Sequence, residues 1–406
     1  MTLASASLPA SKLNSLVMVR ERCDNITRGV AAGRSRHFRL QRERLPDAAA
    51  FVARVTRERY PGLRIPYHSR WRHFEAGGID RKALLDRALS AAAPRQAARA
   101  QIDLAVVSVL LDAGAGAAWR YREGATGQVL ERSEGLAVAT LRAFLDGAFS
   151  SRGDEPCRVD ADALLTLDAE RLGAILQVER DNPLVGLEGR AALLRRLGRA
   201  LADGASLPVA RPGAILDVFT RDGARNSIDA EDIVAVLLDR WSGIWPTGTV
   251  LHGAPLGDTW RHPLAGGEGP TAGWVPFHKL TQWLAYSLFE PLEWAGVTIQ
   301  NRDALTALPE YRNGGLLIDT GVIAFRDPQL ASKWWPVGSE LIVEWRALTV
   351  ALIDELVPLV RDQLQAPELP LACILEGGTW AAGRKLASER RDGAPPLMIE
   401  SDGTVF

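Results

Sequence analysis

The sequence predicts a mainly α, multi-helical globular fold with a few short strands, and three observations predict it. Much of the chain is rich in Ala, Leu and Arg, which are good helix formers, and apolar residues recur there at helical spacing. Strand-like signals are confined to one glycine-rich hairpin candidate and the extreme C-terminus. At 406 residues, 47% hydrophobic and 24% charged, the chain has an ordinary globular composition and can bury a large core.

The first 20 or so residues are expected to be loosely ordered. A helix is expected from Asp47 to Tyr60, with Phe51, Val52 and Val55 as its apolar positions. Asp80 can cap a helix carrying Ala83, Leu84, Leu85 and Leu89. Pro94 opens a long helix through Leu111 whose apolar face holds Ile102, Val106, Val109 and Leu110. Between Trp119 and Arg132 the glycines of EGATGQ suggest a short hairpin, and Ser133 begins a helix running over residues 136–149. Residues 160–177 and 187–202 read as amphipathic helices. The tract GASLPVARPG, residues 204–213, is the best internal boundary. It divides lobes 21–203 and 214–406, or it is a connection within one domain over 21–406. Asp229 with Asp232 opens a helix ending near Trp241, and Pro276 starts another. Ser339 caps a helix with Leu341, Trp345, Leu348, Leu352 and Leu356 on its apolar side, and Pro358 is expected to kink or end it. The terminal LMIESDGTVF is expected to be extended, and no internal repeat stands out.

Charge and cysteine content narrow the function classes. A formal net charge of −1 argues against a nucleic-acid partner, which would call for a basic excess. The three cysteines are odd in number and far apart, so they offer no disulfide framework and no CxxC metal spacing; a reducing cytoplasm fits them. The N-terminus does not read as a secretory signal, and no run of about 18 apolar residues suggests a membrane span. There is no GxGxxG opening a helix, no GxxxxGK[ST], no GxSxG and no HExxH, and the histidine spacings match no closed metal site. No cofactor and no metal are therefore expected.

The rarer residue types concentrate between Trp241 and Gly321, which hold six of the twelve tryptophans and three of the six histidines. Such a cluster closes a core or walls a pocket, and the polar residues among the rings favour the pocket. On a helix starting at Pro276, an advance of about 100° per residue places Gln282, Tyr286 and Glu290 near Lys279, with Trp283 beside them and His278 at the edge. Phe277, Leu280, Leu284 and Leu288 fall opposite. A pocket-lining face is the expectation, against the alternative of an ordinary exposed face. In LPEYRNGGLLIDTG, Glu310, Tyr311 and Arg312 precede two glycines that permit close backbone approach, and the apolar LLI puts this turn near the core. Glu310 can there stabilise a developing cation or orient water, and Asp319 can serve as a carboxylate or as a cap. LGDTWRHP presents Asp258, Trp260, Arg261 and His262 together, and IPYHSRWRHFEAGG crowds His68, Arg70, Trp71, Arg72 and His73 into six positions. Arginine suits a phosphate or carboxylate through paired hydrogen bonds.

These segments, with LEGGTWAAGRKLA and the terminal IESDGTVF, resemble a family tied to the non-reductive uracil catabolism pathway of fungi and bacteria as its fourth component. The resemblance covers nearly the whole chain. A remoter one is to the queuosine-salvage N-ribosyl hydrolases, whose mainly α fold is related to helix-hairpin-helix DNA glycosylases. Phe277, Lys279 and Gln282 are similar to that family's F-x-K-x-x-Q helix, Tyr311 and Arg312 to its ADYR-type turn, and Trp380 and Ala381 to its last helix. The chain departs from it with Glu310 in place of Asp, and at Asn313, Gly314 and Gly315. The longer carboxylate puts the reacting group's position in question, and the altered turn implies a different base.

Together the two resemblances imply hydrolysis of an N-glycosidic bond in a ring-opened, ribosylurea-type substrate, with or without a 5′-phosphate. Glu310 is then the first candidate for the carboxylate beneath the sugar, with Asp258 or Asp319 second. His278, Lys279 and Gln282 are candidates to assist the leaving group. Arg72, His73, Arg261, His262 and Arg312 are candidates for phosphate or ribose hydroxyls, with Trp260, Phe277, Tyr286 and Tyr311 completing the binding set. A ureido amidohydrolase, a non-catalytic ligand-binding protein of the same pathway and, less favoured by charge, a DNA glycosylase are the alternatives. The expected partner is a small molecule; the sequence does not settle an oligomeric state.

Overall fold

The computed structural model of the chain describes residues 12–204, 207, 209–221, 223, 225–245 and 249–400. Expectations for residues 1–11, for Pro246–Gly248 of the tryptophan-rich segment, for parts of 204–213 and for 401–406 lie outside the described residues. Helices dominate and every strand is two or three residues long, as a mainly α chain requires. Two compact units emerge. One is built from Met1–His68, Thr247–Gln282 and Asn301–Glu400, the other from Ser69–Pro246 and Trp283–Gln300. The tract 204–213 falls within the stretch Ser69–Pro246 of the second unit. Among the described residues, no helix is long and apolar enough to cross a membrane.

In the first unit the organising element is the 25-residue helix Glu340–Leu364, which is buried along most of its length. Helices Leu16–Ala31, Leu45–Arg59 and Tyr311–Asp319 pack against it. The first of these begins inside the stretch expected to be loosely ordered, because Ser15 caps it by accepting from the Met18 N–H at 3.2 Å. Pro358 does not end the long helix, which continues to Leu364. Its second half is held by side-chain anchors such as Arg20, which donates to Asp354 at 3.0 Å and to the carbonyl of Ala304. Helix Tyr311–Asp319 in turn packs on Trp380–Arg391. The contact needs a glycine at 383, where a Cβ would lie 2.1 Å from the carbonyl oxygen of Arg312. Three strand pairs tie the ends of these helices. Phe38–Leu40 runs antiparallel to Ile323–Phe325, Trp334–Pro336 parallel to Met398–Glu400, and Thr259–Arg261 antiparallel to Trp274–Pro276. Pro276 thus ends a strand, and the helix expected to start there begins at Lys279.

The second unit is centred on helix Pro94–Leu110, with proline in its first turn and a wholly buried last half. Helices Arg132–Leu145 and Leu187–Ala202 pack on it, and the hairpin Tyr121–Arg122/Val129–Leu130 forms around the EGATGQ glycines. Buried Arg190 donates to the carbonyls of Ala113 and Gly114 at 3.1 and 2.8 Å, satisfying groups just beyond the C-terminus of the central helix. The single helix expected over 160–177 is two, Ala161–Leu165 and Ala169–Ile175. Asp160 and Asp168 each accept the backbone N–H three residues on, so the second aspartate starts a new helix instead of continuing the first.

Candidate functional site

The first unit brings two carboxylates to the N-termini of two helices. Asp258 stands just before the strand Thr259–Arg261, and its backbone carbonyl accepts from the Phe277 N–H at 2.9 Å. Its side chain then reaches the start of helix Lys279–Trp294, where Oδ2 accepts from the Lys279 N–H at 3.0 Å. Glu310 caps helix Tyr311–Asp319: Oε2 accepts from the Arg312 N–H at 2.7 Å and Oε1 from the Asn313 N–H at 2.6 Å. LPEYRN is therefore the entry to a helix and not an open turn. A helix N-terminus carries partial positive charge, so each site suits an anion.

Arg346, in the buried middle of the long helix, ties the two together. Its Nη1 and Nη2 donate to the two oxygens of Asp258 at 2.8 and 2.7 Å, its Nε points to the carbonyl of Pro309 at 3.4 Å, and its guanidinium lies 4.1 Å over the Phe277 ring. The Trp260 indole N–H donates to Asp258 Oδ1 at 2.7 Å. Each oxygen of Asp258 thus takes two donors. Burial alone would raise its pKa, but Arg346, Trp260 and the Lys279 N–H overcome that and hold the carboxyl at about 2. Glu310 is shifted the other way. Burial pushes its pKa up, opposed by its two backbone donors and by the nearby charges of Lys279 and Arg312. One carboxylate is a permanent, saturated anion; the other is easier to protonate.

The remaining expected residues separate into those at this site and those elsewhere. Lys279 is at the site, half-buried, with its charge acting on Glu310. Gln282 is fully buried and serves as a bracket: Nε2 donates to the Phe277 carbonyl and the Thr306 hydroxyl, and Oε1 accepts from the Thr306 N–H at 2.9 Å. The expected exposed-face alternative for this helix fails, since Leu280, Gln282, Trp283, Leu284 and Tyr286 are all buried. His278 adopts φ +49°, and its Nε2–H donates to the carbonyl of Leu13 at 2.9 Å. Burial lowers its pKa, so it is a neutral hydrogen-bond donor at neutral pH. Asp319 sits at the opposite end of helix Tyr311–Asp319 from Glu310, about 13 Å away by helical rise. Arg391 grips both of its oxygens at 2.8 and 2.6 Å, so Asp319 is held in an ion pair at the far end of that helix from Glu310.

Arg261 is exposed on the other face of its strand from Trp260, with its guanidinium 4.0 Å over Trp274 and a bond to the Ala272 carbonyl. His262 is buried against Glu344 at 3.2 Å, and Glu344 also accepts from Ser35. Tyr311 is exposed, with Arg312 over its ring, and Arg312 donates to the Gly393 carbonyl at 3.0 Å. Each of these four is thus engaged by neighbours of its own. Arg72, His73 and Tyr286 belong to the second unit. There Arg72 pairs with Glu290 at 2.7 Å and Glu75 at 2.8 Å and helps line a 580 Å³ cleft with Trp71, Lys82 and Trp294. His73 lies 2.9 Å from Arg70, and Tyr286 is fully buried with its ring edge-on to Phe289.

Sequence reasoning missed Arg346, Glu344 and Thr306. A signal existed for the first two: they flank Trp345 within the otherwise apolar run LIVEWRALTVALI, and charges inside such a helix require buried partners. Among the described residues, no cluster of three His, Cys, Asp or Glu side chains forms a metal-binding group.

Comparison with known proteins identifies the chain's relatives. The family described as "Protein of unknown function (DUF1688)" matches residues 12–406. The chain belongs to this family. Two relatives span almost its whole length. "Protein urg3" of Schizosaccharomyces pombe is 38% identical over 408 residues, 98% of each chain. "Uracil catabolism protein 4" of Lachancea kluyveri is 37% identical over 435 residues, 98% of this chain and 99% of the relative. For DUF1688, then, the geometry above supplies a concrete pair of carboxylates and the arginine between them.

Proposed function

We propose that this protein is an N-ribosyl hydrolase of uracil catabolism, cleaving a ribosylurea-type, ring-opened nucleoside into ribose and urea. The pathway follows from the name of the Lachancea kluyveri relative. The chemistry is supported by one observation above the others. Asp258 and Glu310 belong to one cluster through Arg346 and Lys279, yet their pKa values are pushed apart, to about 2 for Asp258 and upward for Glu310. Such a pair sets a carboxylate that stays ionised beside one that can exchange a proton, an arrangement suited to acid–base chemistry.

Breaking an N-glycosidic bond builds positive charge on the sugar ring. Glu310, half-buried and fixed by two N–H donors, is the anion for that charge and the acceptor for the proton of the attacking water. Asp258 does not titrate in the cycle. It holds Arg346 and the first turn of the Lys279 helix in place, and so keeps the lysine charge beside Glu310. Trp260, half-buried and hydrogen-bonded to Asp258, offers a flat wall to the planar ureido group.

The direct test is incubation of the purified protein with ribosylurea and its 5′-phosphate, following free urea and free ribose. Release of both supports the reading. Release of ammonia or carbamate with the ribosyl bond intact would assign a ureido amidohydrolase instead, and binding without turnover would remove the enzymatic reading.

A further inference from the structure

His68 and the motif LEGGTW take no part in the cluster above, yet the first unit joins them. Glu376 lies in a π-helical turn, Leu375–Thr379, between helices Leu371–Ile374 and Trp380–Arg391. Such turns are uncommon and concentrate at functional positions. This one depends on its glycines: a Cβ at Gly378 would lie 2.7 Å from Val52 Cγ1, and one at Gly377 3.0 Å from Ile65 Cδ1. The turn presents a buried carboxylate. Glu376 Oε2 lies 2.8 Å from His68 Nδ1, and Oε1 lies 3.2 Å from Arg59 Nη2. A carboxylate only accepts, so Nδ1 carries the proton toward Glu376 and the imidazole orientation is fixed. The His68 backbone N–H also donates to the Ala372 carbonyl at 2.9 Å, and its ring packs 5.7 Å from that of Trp380. Both the π turn and the helix from Trp380 pack against helix Tyr311–Asp319, the helix that Glu310 caps. Gly383 touches the Arg312 carbonyl, and Trp380 lies one turn before Gly383 on the same side.

We propose that His68, oriented by Glu376, is the acid that protonates the departing ureido nitrogen, in the same site as Glu310. This rests on the ribosyl-hydrolase reading. The C1′–N bond breaks and its electron pair goes to the ureido nitrogen, which takes a proton from the His68 imidazolium and leaves as neutral urea. Water adds to C1′, and its proton passes to Glu310. Exchange with solvent restores His68 and Glu310, so one water is consumed and no other reactant is needed. Urea is a poor leaving group as an anion, which is why the reaction requires such a donor. His68 is the catalytic residue of the pair and Glu376 a positioning residue.

The test uses two substrates and the full-length protein. Ribosylurea needs a protonated leaving group, whereas 4-nitrophenyl β-riboside does not. The expected result is that His68→Gln slows urea release by about 100-fold or more, the usual range for loss of a general acid, while leaving nitrophenolate release within about 3-fold. Glu376→Gln is expected to give the same pattern at about a tenth of the size, and it carries the comparison if His68→Gln does not fold. Glu310→Gln is expected to lose both activities. Equal loss on the two substrates in both dyad variants, or no loss on either, overturns the dyad while the hydrolase reading stands. A wild-type protein that cleaves neither substrate overturns the hydrolase reading and the dyad's role with it.

Discussion

Replacing Asp258 with Asn perturbs a carboxylate whose two oxygens accept four hydrogen bonds, and the cost can be worked from the geometry. Arg346 and the other donors hold this carboxyl at about 2, against an ordinary 3.8. A folded-state pKa below the unfolded one means stabilisation that is present above about pH 4 and lost as the pH falls toward 2. The difference corresponds to about 2.5 kcal/mol. Asn removes that stabilisation and also strands the Arg346 guanidinium, which is 1% exposed, so the loss at neutral pH should reach about 3–5 kcal/mol. The assay is guanidinium chloride unfolding of wild type and Asp258→Asn, at pH 7 and in steps from pH 5 to 2.5. The midpoint of the wild type should fall more steeply than that of the variant between pH 4 and 2.5, because only the wild type has this carboxylate to protonate. The double variant Asp258→Asn/Arg346→Met should recover much of the loss, since it removes the stranded charge and leaves an apolar chain over Phe277. Parallel pH profiles, or a loss at pH 7 below about 1 kcal/mol, would refute the claim that this pair organises the site.

Other expectations follow from the same geometry. For Glu310, kcat should fall at low pH with an acid limb above the ordinary 4.5, because burial raises the carboxyl's pKa; a pH–rate profile with the limb at or below 4.5 contradicts the assignment. Glu310→Gln should cost about 1 kcal/mol through the weakened cap, measured by thermal unfolding, while urea release drops by about 1,000-fold. Gly383→Ala should destabilise by about 3 kcal/mol, because its methyl meets the Arg312 carbonyl at 2.1 Å and neither helix can retreat cheaply; an unchanged Tm would mean that the two helices are not locked there. Gln282→Ala should cost about 2–3 kcal/mol by leaving the buried Thr306 N–H without its acceptor, and Gln282→Glu, which keeps that acceptor, should cost less in the same melt.

Local chemistry in the chain made much of the fold legible. The helix Leu187–Ala202 has the bounds its amphipathic pattern implies, and Pro94 starts the helix it was expected to start. The errors arose where two local signals competed. Asp168 looks like an ordinary polar residue within a helical period, but it outbid the continuing helix for backbone donors. Pro358 removes one hydrogen bond, yet a helix buried over five turns can bear that loss. At the candidate site, Glu310 was legible because an acid precedes a strongly apolar helix. Asp319 is also a carboxylate, at the other end of the same helix, but its partner Arg391 lies 72 positions away and could not be read. The 100° advance grouped Lys279, Gln282, Tyr286 and Glu290, but the Gln282–Thr306 bracket depends on a segment 24 residues distant.

Composition and periodicity by themselves determined that this chain is mainly helical, where most of its helices lie, and that its uncommon side chains gather between Trp241 and Gly321. Tertiary structure alone decided which charges meet: that Arg346 clamps Asp258, that Arg391 clamps Asp319, and that a π turn holds Glu376 against His68. The physical reason is range. Helix propensity and amphipathic spacing act within a few residues of sequence, whereas a carboxylate's protonation and orientation depend on donors brought from tens or hundreds of positions away, and only the folded core fixes those distances.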